Sequence, residues 1–269
     1  MRVRRLGWAG LEIEADGAFA VVDLFEEVGW LAEYVGAARG PLPPPEAAGR
    51  IDIALVTHLH SDHTDPAAIA RALSPDGLLL RPPRATGEGM ETIALEGSER
   101  GIGERGLTAR EVVAWERVER GPFTITAVPA VDGLGDPQVS WVIAGGDRRI
   151  LHAGDTLFHG SWWLTAMRHG PFDAVFLPVN GAVVDFPNRQ PASPLPASMD
   201  PAQAAAAAHL LRARLAVPIH YDTLHQPPTY AQVDDPAGAF AAAAAELGVP
   251  ARVLEVGDVL ELEPVGKTG

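Results

Sequence analysis

Four side chains that can bind a metal ion lie within six consecutive positions in the first quarter of the chain. The run is His58-Leu59-His60-Ser61-Asp62-His63. It directly follows the apolar segment Ile51 to Val56, which has the composition of a buried strand. Because alternate side chains of an extended segment lie on one face, His58 and His60 can reach the same ion. The chain then turns and directs Asp62 and His63 toward a neighbouring position. The spacing therefore predicts two adjacent metal ions.

A solvated polar turn that happens to be rich in histidine is the alternative interpretation of this run. We reject it because so many ligand-type residues directly follow a strand. Imidazole and carboxylate together form a ligand set that suits zinc, and they are compatible with manganese or iron. The chain contains no cysteine that would favour a thiolate site.

Further polar residues follow other apolar segments. Six segments indicate buried strands: Phe19 to Leu24, Ile51 to Val56, Phe123 to Val128, Arg149 to Ala153, Ala174 to Val179 and Leu215 to Ile219. Four of these segments are followed closely by His58, Asp132, Asp155 and His220. Since open α/β sheets bind ligands beyond the ends of their strands, we expect these residues to converge on one cleft.

Helices and loops separate the strands. Asp65-Pro66 is predicted to open a helix through Leu73, and Asp200-Pro201 another through about Arg214, because each pair places an N-cap before a first-turn proline. Residues 37–49 and 84–110 are expected to be surface loops. The proline-rich segment 181–199 either borders the cleft or is a plain connector. The patterns alone predict a mixed α/β chain.

The motifs also resemble those of a known family. The run from His58 to His63 matches the metallo-β-lactamase superfamily, and this chain is similar to that superfamily along most of its length. Residues 150–156, 177–180 and 199–223 resemble the bacterial metal-dependent hydrolases that include L-ascorbate-6-phosphate lactonase. The resemblance implies an α/β fold with two facing sheets and helices outside, the four-layer αβ/βα sandwich, formed by residues 1–269 as a single domain.

The resemblance also implies a role for each candidate ligand. His58 and His60 would hold the first metal, and Asp155 would bridge the two ions. The second metal would be held by Asp62, His63 and His220. Two such ions lie about 3.5–4 Å apart, lower the pKa of a shared water toward about 7 and polarise the scissile bond. Asp62 and Asp155 are therefore catalytic candidates as well, with Asp62 placed to orient the attacking hydroxide.

One position departs from the family pattern. Relatives usually carry a histidine after the strand that ends in Pro-Ala, whereas Asp132 follows Pro129-Ala130-Val131 here. Asp132 either binds the first metal or caps the turn that it forms with Gly133, in which a glycine tolerates a positive φ. As a ligand, it would make the first site harder and more tolerant of manganese or iron than a site with three histidines.

The remaining polar and aromatic candidates have weaker support. Tyr221 and His225 follow His220 in the loop that leaves its strand, and they could reach a substrate as hydrogen-bond donors or leaving-group acids. His152 lies inside a strand, where a hydrogen-bonded core residue is the favoured interpretation over a role in orienting a ligand. Trp8 is more often a core residue at such a position than part of a pocket wall.

Chain length and net charge limit the classes of molecule that the protein is expected to bind. The chain has 269 residues, enough for one large core, and a net charge of −14 without a cluster of basic residues. Nucleic acid is therefore a poor partner, since phosphate binding requires clustered Lys and Arg, and a small-molecule substrate is expected. We also expect a cytoplasmic protein with no signal peptide and no membrane span, and a homo-oligomer stays compatible with the sequence.

These observations predict a metal-dependent hydrolase that contains two divalent ions, most suitably zinc, and cleaves an ester-like bond in a small molecule such as a lactone or a phosphorylated metabolite. A phosphodiesterase or nuclease is an alternative, although a basic strip is missing. A non-catalytic metal-binding relative is another, but Asp62 is retained.

Overall fold

The protein is described by a computed structural model that covers residues 1–263. It contains fifteen strands, in chain order β1 (Arg2–Gly7), β2 (Gly10–Ala15), β3 (Ala18–Val22), β4 (Ile51–Leu55), β5 (Leu73–Arg81), β6 (Ala109–Glu111), β7 (Arg117–Arg120), β8 (Phe123–Pro129), β9 (Val139–Gly145), β10 (Arg148–His152), β11 (Ala174–Pro178), β12 (Val183–Val184), β13 (Ala216–Ile219), β14 (Tyr230–Ala231) and β15 (Val259–Glu261) within that range. The helices are α1 (Ala32–Val35), α2 (Pro66–Ala72), α3 (Ile93–Glu104), α4 (Ser161–His169), α5 (Pro201–Leu210) and α6 (Pro236–Glu246). Two 3₁₀ turns, Gly29–Leu31 and Gly89–Glu91, precede α1 and α3.

Two large mixed sheets organise the molecule. The first has the order β15-β1-β2-β3-β4-β5-β6 and the second the order β13-β11-β10-β9-β8-β7. Strands β3 to β6 run parallel to one another in the first sheet, as do β10, β11 and β13 in the second. A small antiparallel pair, β12 with β14, lies outside both sheets. Parallel strands end at the same edge of a sheet, so the loops that leave β4, β10 and β13 are positioned to form a site.

Three hydrophobic clusters show how the layers pack. The central cluster joins side chains of both sheets, for example Ile53 of β4 with Ile143 of β9 and Phe176 of β11. A second cluster lies between the other face of the second sheet and α4, α5 and α6, and a third lies between the other face of the first sheet and α2 and α3. Two sheets therefore face each other with helices outside, which confirms the αβ/βα sandwich.

The two predicted helix starts are observed. The Asp65 side chain accepts hydrogen bonds from Ala67 N and Ala68 N at the start of α2. Asp200 forms a capping box with Gln203 at the start of α5. Helix α5 ends at Leu210 rather than near Arg214, because Arg212 adopts a positive φ of 54° and turns the chain toward β13.

The expectation of a surface loop over residues 84–110 is wrong, since that segment contains α3. The buried positions of α3 include Leu95, Ser98, Gly101 and Ile102, which recur with helical spacing. Two of the four are not apolar side chains, so the apolar pattern was diluted. Gly101 is required there, because a Cβ would lie 2.8 Å from Cγ of Pro66 on α2.

The predicted strands match observed ones to within two residues at each end, and residues 37–49 contain neither a helix nor a strand, as expected. None of the helices within residues 1–263 combines the length and the apolar character that a membrane crossing requires.

Candidate metal centre

All seven predicted metal ligands lie together at one edge of the sandwich. The turn from His58 to His63 follows β4, Asp155 follows β10 and His220 follows β13. Asp132 follows β8 and completes the group. The turn is closed by hydrogen bonds from His63 N and Thr64 N to His60 O, at 3.0 and 2.9 Å. Loops that are separated by more than a hundred residues in sequence therefore supply a single site.

The ligand atoms form two clusters. The first cluster consists of His58, His60, Asp132 and Asp155, and the second of Asp62, His63 and His220. Within each cluster the potential ligand atoms lie within 4.8 Å of one another. Both clusters are largely buried, with Asp62 and Asp155 the two members that are partly exposed. Each cluster therefore offers enough ligands for a divalent cation.

Asp155 connects the two clusters. Its Oδ1 atom lies 3.6 Å from Nε2 of His58 in the first cluster. Its Oδ2 atom lies 3.8 Å from Nε2 of His63 and 3.9 Å from Nε2 of His220 in the second. The two oxygens of one carboxylate thus face different clusters, which is the arrangement expected of a bridging ligand.

Unpaired histidine nitrogens test whether this centre fits metal ions. Nε2 of His58, His63 and His220 is buried, and none of the three has a hydrogen-bond partner in the described part of the chain. A buried polar atom without a partner costs about 1–3 kcal/mol. All three point toward Asp62 or Asp155 at 3.6–3.9 Å, and a cation between them would use each lone pair. The residues present therefore fit two metal ions.

A buried carboxylate that sequence reasoning missed orients ligands of both clusters. Asp23 is fully buried and accepts hydrogen bonds from Thr57 N and Thr57 Oγ1, each at 2.8 Å. Its Oδ2 lies 2.7 Å from Nδ1 of His63, and Thr57 Oγ1 lies 3.0 Å from Nδ1 of His58. When Nδ1 of each ring carries the proton and donates to these oxygens, Nε2 of the ring is left free for a cation.

Asp136 does the same for His60 through the opposite ring nitrogen. Oδ2 of Asp136 lies 2.8 Å from Nε2 of His60, so Nδ1 of His60 is the atom that faces the first cluster. Two hydrogen bonds support the carboxylates, since Trp8 Nε1 donates to Asp62 Oδ2 at 3.0 Å and Gln138 Nε2 donates to Asp155 Oδ1 at 2.8 Å. Hydrogen bonds of this kind fix the direction of a metal ligand.

Three non-glycine residues around the centre have left-handed backbone conformations. The φ angles are 43° at Trp8, 46° at Asp23 and 59° at His220. The Trp8 and His220 rings pack at a centroid distance of 3.9 Å, and His220 N donates to Trp8 O at 2.9 Å. Such conformations cost about 1–3 kcal/mol each and concentrate at functional sites. Trp8 is therefore a buried residue that packs on a ligand, as the core interpretation expected.

Asp132 closes a turn and also lies among the candidate ligands of the first cluster. Its Oδ2 accepts from Leu134 N and Asp136 N, at 3.0 and 2.8 Å, so it does close a turn. Its Oδ1 lies 4.0 Å from Nδ1 of His60 and belongs to the first cluster. Gly133 serves a different purpose from the one expected. Its φ is not positive, and a Cβ there would lie 1.9 Å from Ala197 O, so glycine permits a close backbone contact.

Burial and mutual repulsion shape the charges of the metal-free centre. Burial raises the pKa of Asp155 to about 7, and the carboxylates of Asp132 and Asp62 add to the increase. Burial alone would lower the pKa of His63, but Asp62 and Asp23 outweigh it and raise the value to about 10. Burial lowers the pKa of His220 to about 4, so that ring is a neutral imidazole at pH 7. A buried group of carboxylates with few positively charged side chains beside it favours the binding of divalent cations.

A cavity of about 220 Å³ opens onto both clusters. Its metal-side wall includes His60, Asp62, Asp132, Asp155 and His220. Most of the remaining wall is apolar or aromatic, and it includes Trp30, Leu31, Tyr34, Val35, Met90, Ile93, Leu134, Val184, Phe186 and Tyr230. The segment 181–199 contributes several of these residues, so it borders the cleft rather than serving as a plain connector.

The structure corrects the roles expected of Tyr221 and His225. Arg5 Nη1 donates to the Tyr221 hydroxyl at 2.6 Å, and the guanidinium lies over the Tyr221 ring at 4.5 Å. Tyr221 also packs in the hydrophobic cluster between the second sheet and helices α4 to α6. Nδ1 of His225 accepts from Gln232 N. Neither Tyr221 nor His225 is among the described residues that line the cavity.

Other histidines lie outside the two clusters. Nε2 of His152 hydrogen-bonds to Ala9 O at 2.7 Å, which agrees with the interpretation of a core residue. The cavity instead contains a tyrosine that sequence reasoning missed, Tyr230 of β14. The sequence carries no pattern that predicts the strand pair of β12 and β14, because both strands are only two residues long.

The sandwich and its His/Asp clusters together define a metallo-β-lactamase fold with a metal-binding centre at the edge of the sheets. Comparison with known proteins agrees. Residues 20–221 match the model of the beta-lactamase superfamily domain, and the chain belongs to this superfamily.

The sequence similarity to individual relatives extends over most of the chain. A UPF0173 metal-dependent hydrolase from Opitutus terrae is 30% identical over 219 residues, which cover 78% of this chain and 82% of the relative. A second one, from Methanopyrus kandleri, is 28% identical over 231 residues, 83% of this chain and 85% of the relative. Among solved structures, Igni18, a metallo hydrolase from Ignicoccus hospitalis, superimposes with a TM-score of 0.68 and 19% identity over 97% of this chain and 99% of its own. The family is thus one of metal-dependent hydrolases.

Proposed function

We propose that this protein hydrolyses an ester-like bond, in a lactone or a phosphorylated metabolite, within a small molecule that carries an apolar group. The observation that supports this proposal is the mainly apolar cavity that opens directly onto the two ligand clusters. A cavity of this kind binds the apolar part of a substrate and leaves its polar bond beside the clusters.

The chain's own residues would prepare the reacting groups. When bound, two divalent ions lower the pKa of water and polarise a carbonyl or phosphoryl oxygen. His63 and the other histidines outweigh burial and hold the pKa of Asp62 well below its usual range, so this carboxylate is ionised. With Oδ2 held by Trp8 Nε1, Asp62 faces the cavity and can accept a hydrogen bond from the attacking water. Apolar side chains around the cavity would exclude bulk water from the bond to be cleaved.

Two divalent ions are part of the proposal, and zinc suits the second cluster of one carboxylate and two imidazoles. The first cluster has two imidazoles and two carboxylates, a harder ligand set that also accommodates manganese or iron. Asp132 is the residue that distinguishes the first cluster from a site with three histidines.

The cavity does not favour the nuclease alternative. Of the described residues that line it, Arg189 is the one Lys or Arg, and its Nη2 lies 3.4 Å from Oδ2 of Asp136. A nucleic-acid backbone requires several unpaired cations, and the chain as a whole has a net charge of −14. A single, partly neutralised arginine is consistent with a substrate that carries no more than one or two negative charges.

The test is a hydrolysis screen with the metal-loaded protein. The panel contains lactones, thioesters, phosphomonoesters, phosphodiesters and β-lactams, each with a short and a long apolar substituent, and metal content is measured on the same sample. We expect turnover of lactones or phosphomonoesters, faster for the longer substituent, and no turnover by Asp155→Asn. A metal-loaded protein that cleaves none of these compounds would support the non-catalytic alternative, and cleavage of phosphodiesters alone would support the phosphodiesterase.

A further inference from the structure

The orientation of a buried amide beside the cavity determines where the proton of a tyrosine hydroxyl can point. Asn180 is fully buried, and its Oδ1 accepts from Ala182 N at 3.4 Å and from the Ser198 hydroxyl. A backbone N–H can only donate, so the oxygen of the amide must be on that side. The amide nitrogen of Asn180 therefore faces Tyr230, and it donates to the Tyr230 hydroxyl at 2.8 Å.

The Tyr230 hydroxyl thus accepts a hydrogen bond from Asn180 and retains its own proton for another acceptor. Tyr230 lines the same cavity as Asp62, Asp155 and His220. Its ring lies 6.4 Å from that of Trp8, the residue that donates to Asp62 and packs on His220. Burial raises the pKa of Tyr230 well above its ordinary value, so the phenol stays protonated.

The backbone around Tyr230 is fixed. Tyr230 pairs with Val184 across β12 and β14, and it exchanges two backbone hydrogen bonds with Gln226, at 2.7 and 2.9 Å. The ring of Phe186 stacks with the Tyr230 ring at a centroid distance of 6.4 Å. A donor held in this way loses little freedom when it binds an oxygen, and such donors are effective at stabilising negative charge that develops in a reaction.

We propose that the Tyr230 hydroxyl donates a hydrogen bond to the substrate oxygen that becomes negatively charged during hydrolysis, and that Asn180 positions this proton. The proposal rests on the hydrolase function proposed above. It assigns a neutral donor to the cavity that the candidate metal ligands line, and the substrate class it requires has an oxygen acceptor on the cleaved group, as esters, lactones and phosphoesters have.

Two variants test the donor and its orientation. Tyr230→Phe removes the hydroxyl and retains the ring. Asn180→Asp replaces the donating amide with a carboxylate that accepts the phenol proton, which turns the proton away from the cavity without touching Tyr230. The matched control is Tyr221→Phe, which removes a buried hydroxyl that bonds to Arg5 outside the cavity. Metal content and thermal stability are measured for every protein.

In turnover assays we expect Tyr230→Phe to lower kcat by about 100-fold with KM changed much less, because the hydrogen bond is strongest when the charge has developed. Asn180→Asp should have the same effect, and Tyr221→Phe should retain the parent rate. Tyr230→Phe and Asn180→Asp should each bind the same amount of metal as the parent. Rates for Tyr230→Phe within about twofold of the parent would refute the proposal.

A second readout does not depend on turnover and separates this proposal from the hydrolase function. Phenylphosphonate, which joins a phosphonate anion to an apolar phenyl group, is titrated into metal-loaded protein. The protein contains ¹³Cζ-tyrosine, and its three tyrosines give three signals. We expect the Tyr230 signal to shift, the Tyr221 signal to stay, and the affinity to fall about tenfold in Tyr230→Phe. If no substrate is hydrolysed, this titration still decides the role of Tyr230. An unmoved Tyr230 signal with unchanged affinity overturns it.

Discussion

Replacing Asp23 with asparagine should weaken metal binding although Asp23 is not itself a candidate ligand. The perturbation is small in volume, but its hydrogen-bonding consequence follows from the structure. Thr57 N donates to Oδ1 of Asp23 at 2.8 Å, so the amide oxygen of an asparagine must take that position. The amide nitrogen is then forced to the position where Oδ2 of Asp23 now lies, 2.7 Å from Nδ1 of His63.

A donor in that position reverses the tautomer of His63. Nδ1 must become an acceptor, and Nε2, which faces the second cluster, then carries the proton. The same amide nitrogen also faces Thr57 Oγ1, which contacts Nδ1 of His58, so the first cluster is affected through one further bond. Loss of such a supporting contact lowers metal affinity by about 10–100-fold, or about 1.4–2.8 kcal/mol. We expect a loss in this range at the second cluster and a smaller one at the first.

Asp136→Asn is the matched control. The Oδ2 atom of Asp136 contacts Nε2 of His60, and Arg189 also donates to it, so the amide oxygen can stay there and still accept from the ring. We expect metal affinity within about threefold of the parent. The assay is competition with a chromophoric chelator, with anomalous diffraction to assign each loss to a cluster. Equal affinities for the parent and Asp23→Asn, or an equal loss in both variants, would refute the tautomer argument.

Three other outcomes are expected. Asp155→Ala should lower metal content at both clusters and abolish turnover while circular dichroism stays unchanged; turnover at the parent rate would show that no bridge is needed. Asp132→Ala should lower occupancy of the first cluster alone, as measured by elemental analysis and anomalous diffraction, and unchanged occupancy would leave Asp132 as a turn residue. Metal affinity measured by calorimetry should rise from pH 6 to pH 8. In the metal-free protein the pKa values of His60 and His63 are raised to about 9 and about 10, so both rings are protonated and must release a proton when a cation binds. An affinity that does not change with pH would contradict this prediction.

The sequence was sufficient to identify the candidate ligands because each one follows an apolar strand. Strand composition and the spacing from His58 to His63 are local signals, and the fold converts them into proximity by ending its strands at a common edge. The local signal fails where buried positions are not apolar. Helix α3 buries Ser98 and Gly101 beside Leu95 and Ile102, so its period could not be recognised from hydrophobicity.

The hydrogen-bond partners of the ligands were harder to predict, because they depend on geometry that no short window contains. Asp23 lies within the predicted strand from Phe19 to Leu24 and directly follows the observed end of β3 at Val22. In the structure its φ of 46° directs the carboxylate to Thr57 and His63, more than thirty positions away. A charged residue at the end of an apolar strand is a signal that could have found it. Asp136 offers no such pattern.

The two tyrosines show why closeness in sequence is a poor guide to the wall of a cavity. Tyr221 is adjacent to a candidate ligand, yet its hydroxyl accepts a hydrogen bond from Arg5 outside the cavity. Tyr230 is ten positions from His220 and reaches the cavity through the pairing of β14 with β12. That pairing depends on backbone hydrogen bonds between two-residue strands, which leave no periodic pattern in the sequence. Ligands at strand ends are therefore predictable, whereas the residues that would contact the substrate arise from the loops and become visible only in three dimensions.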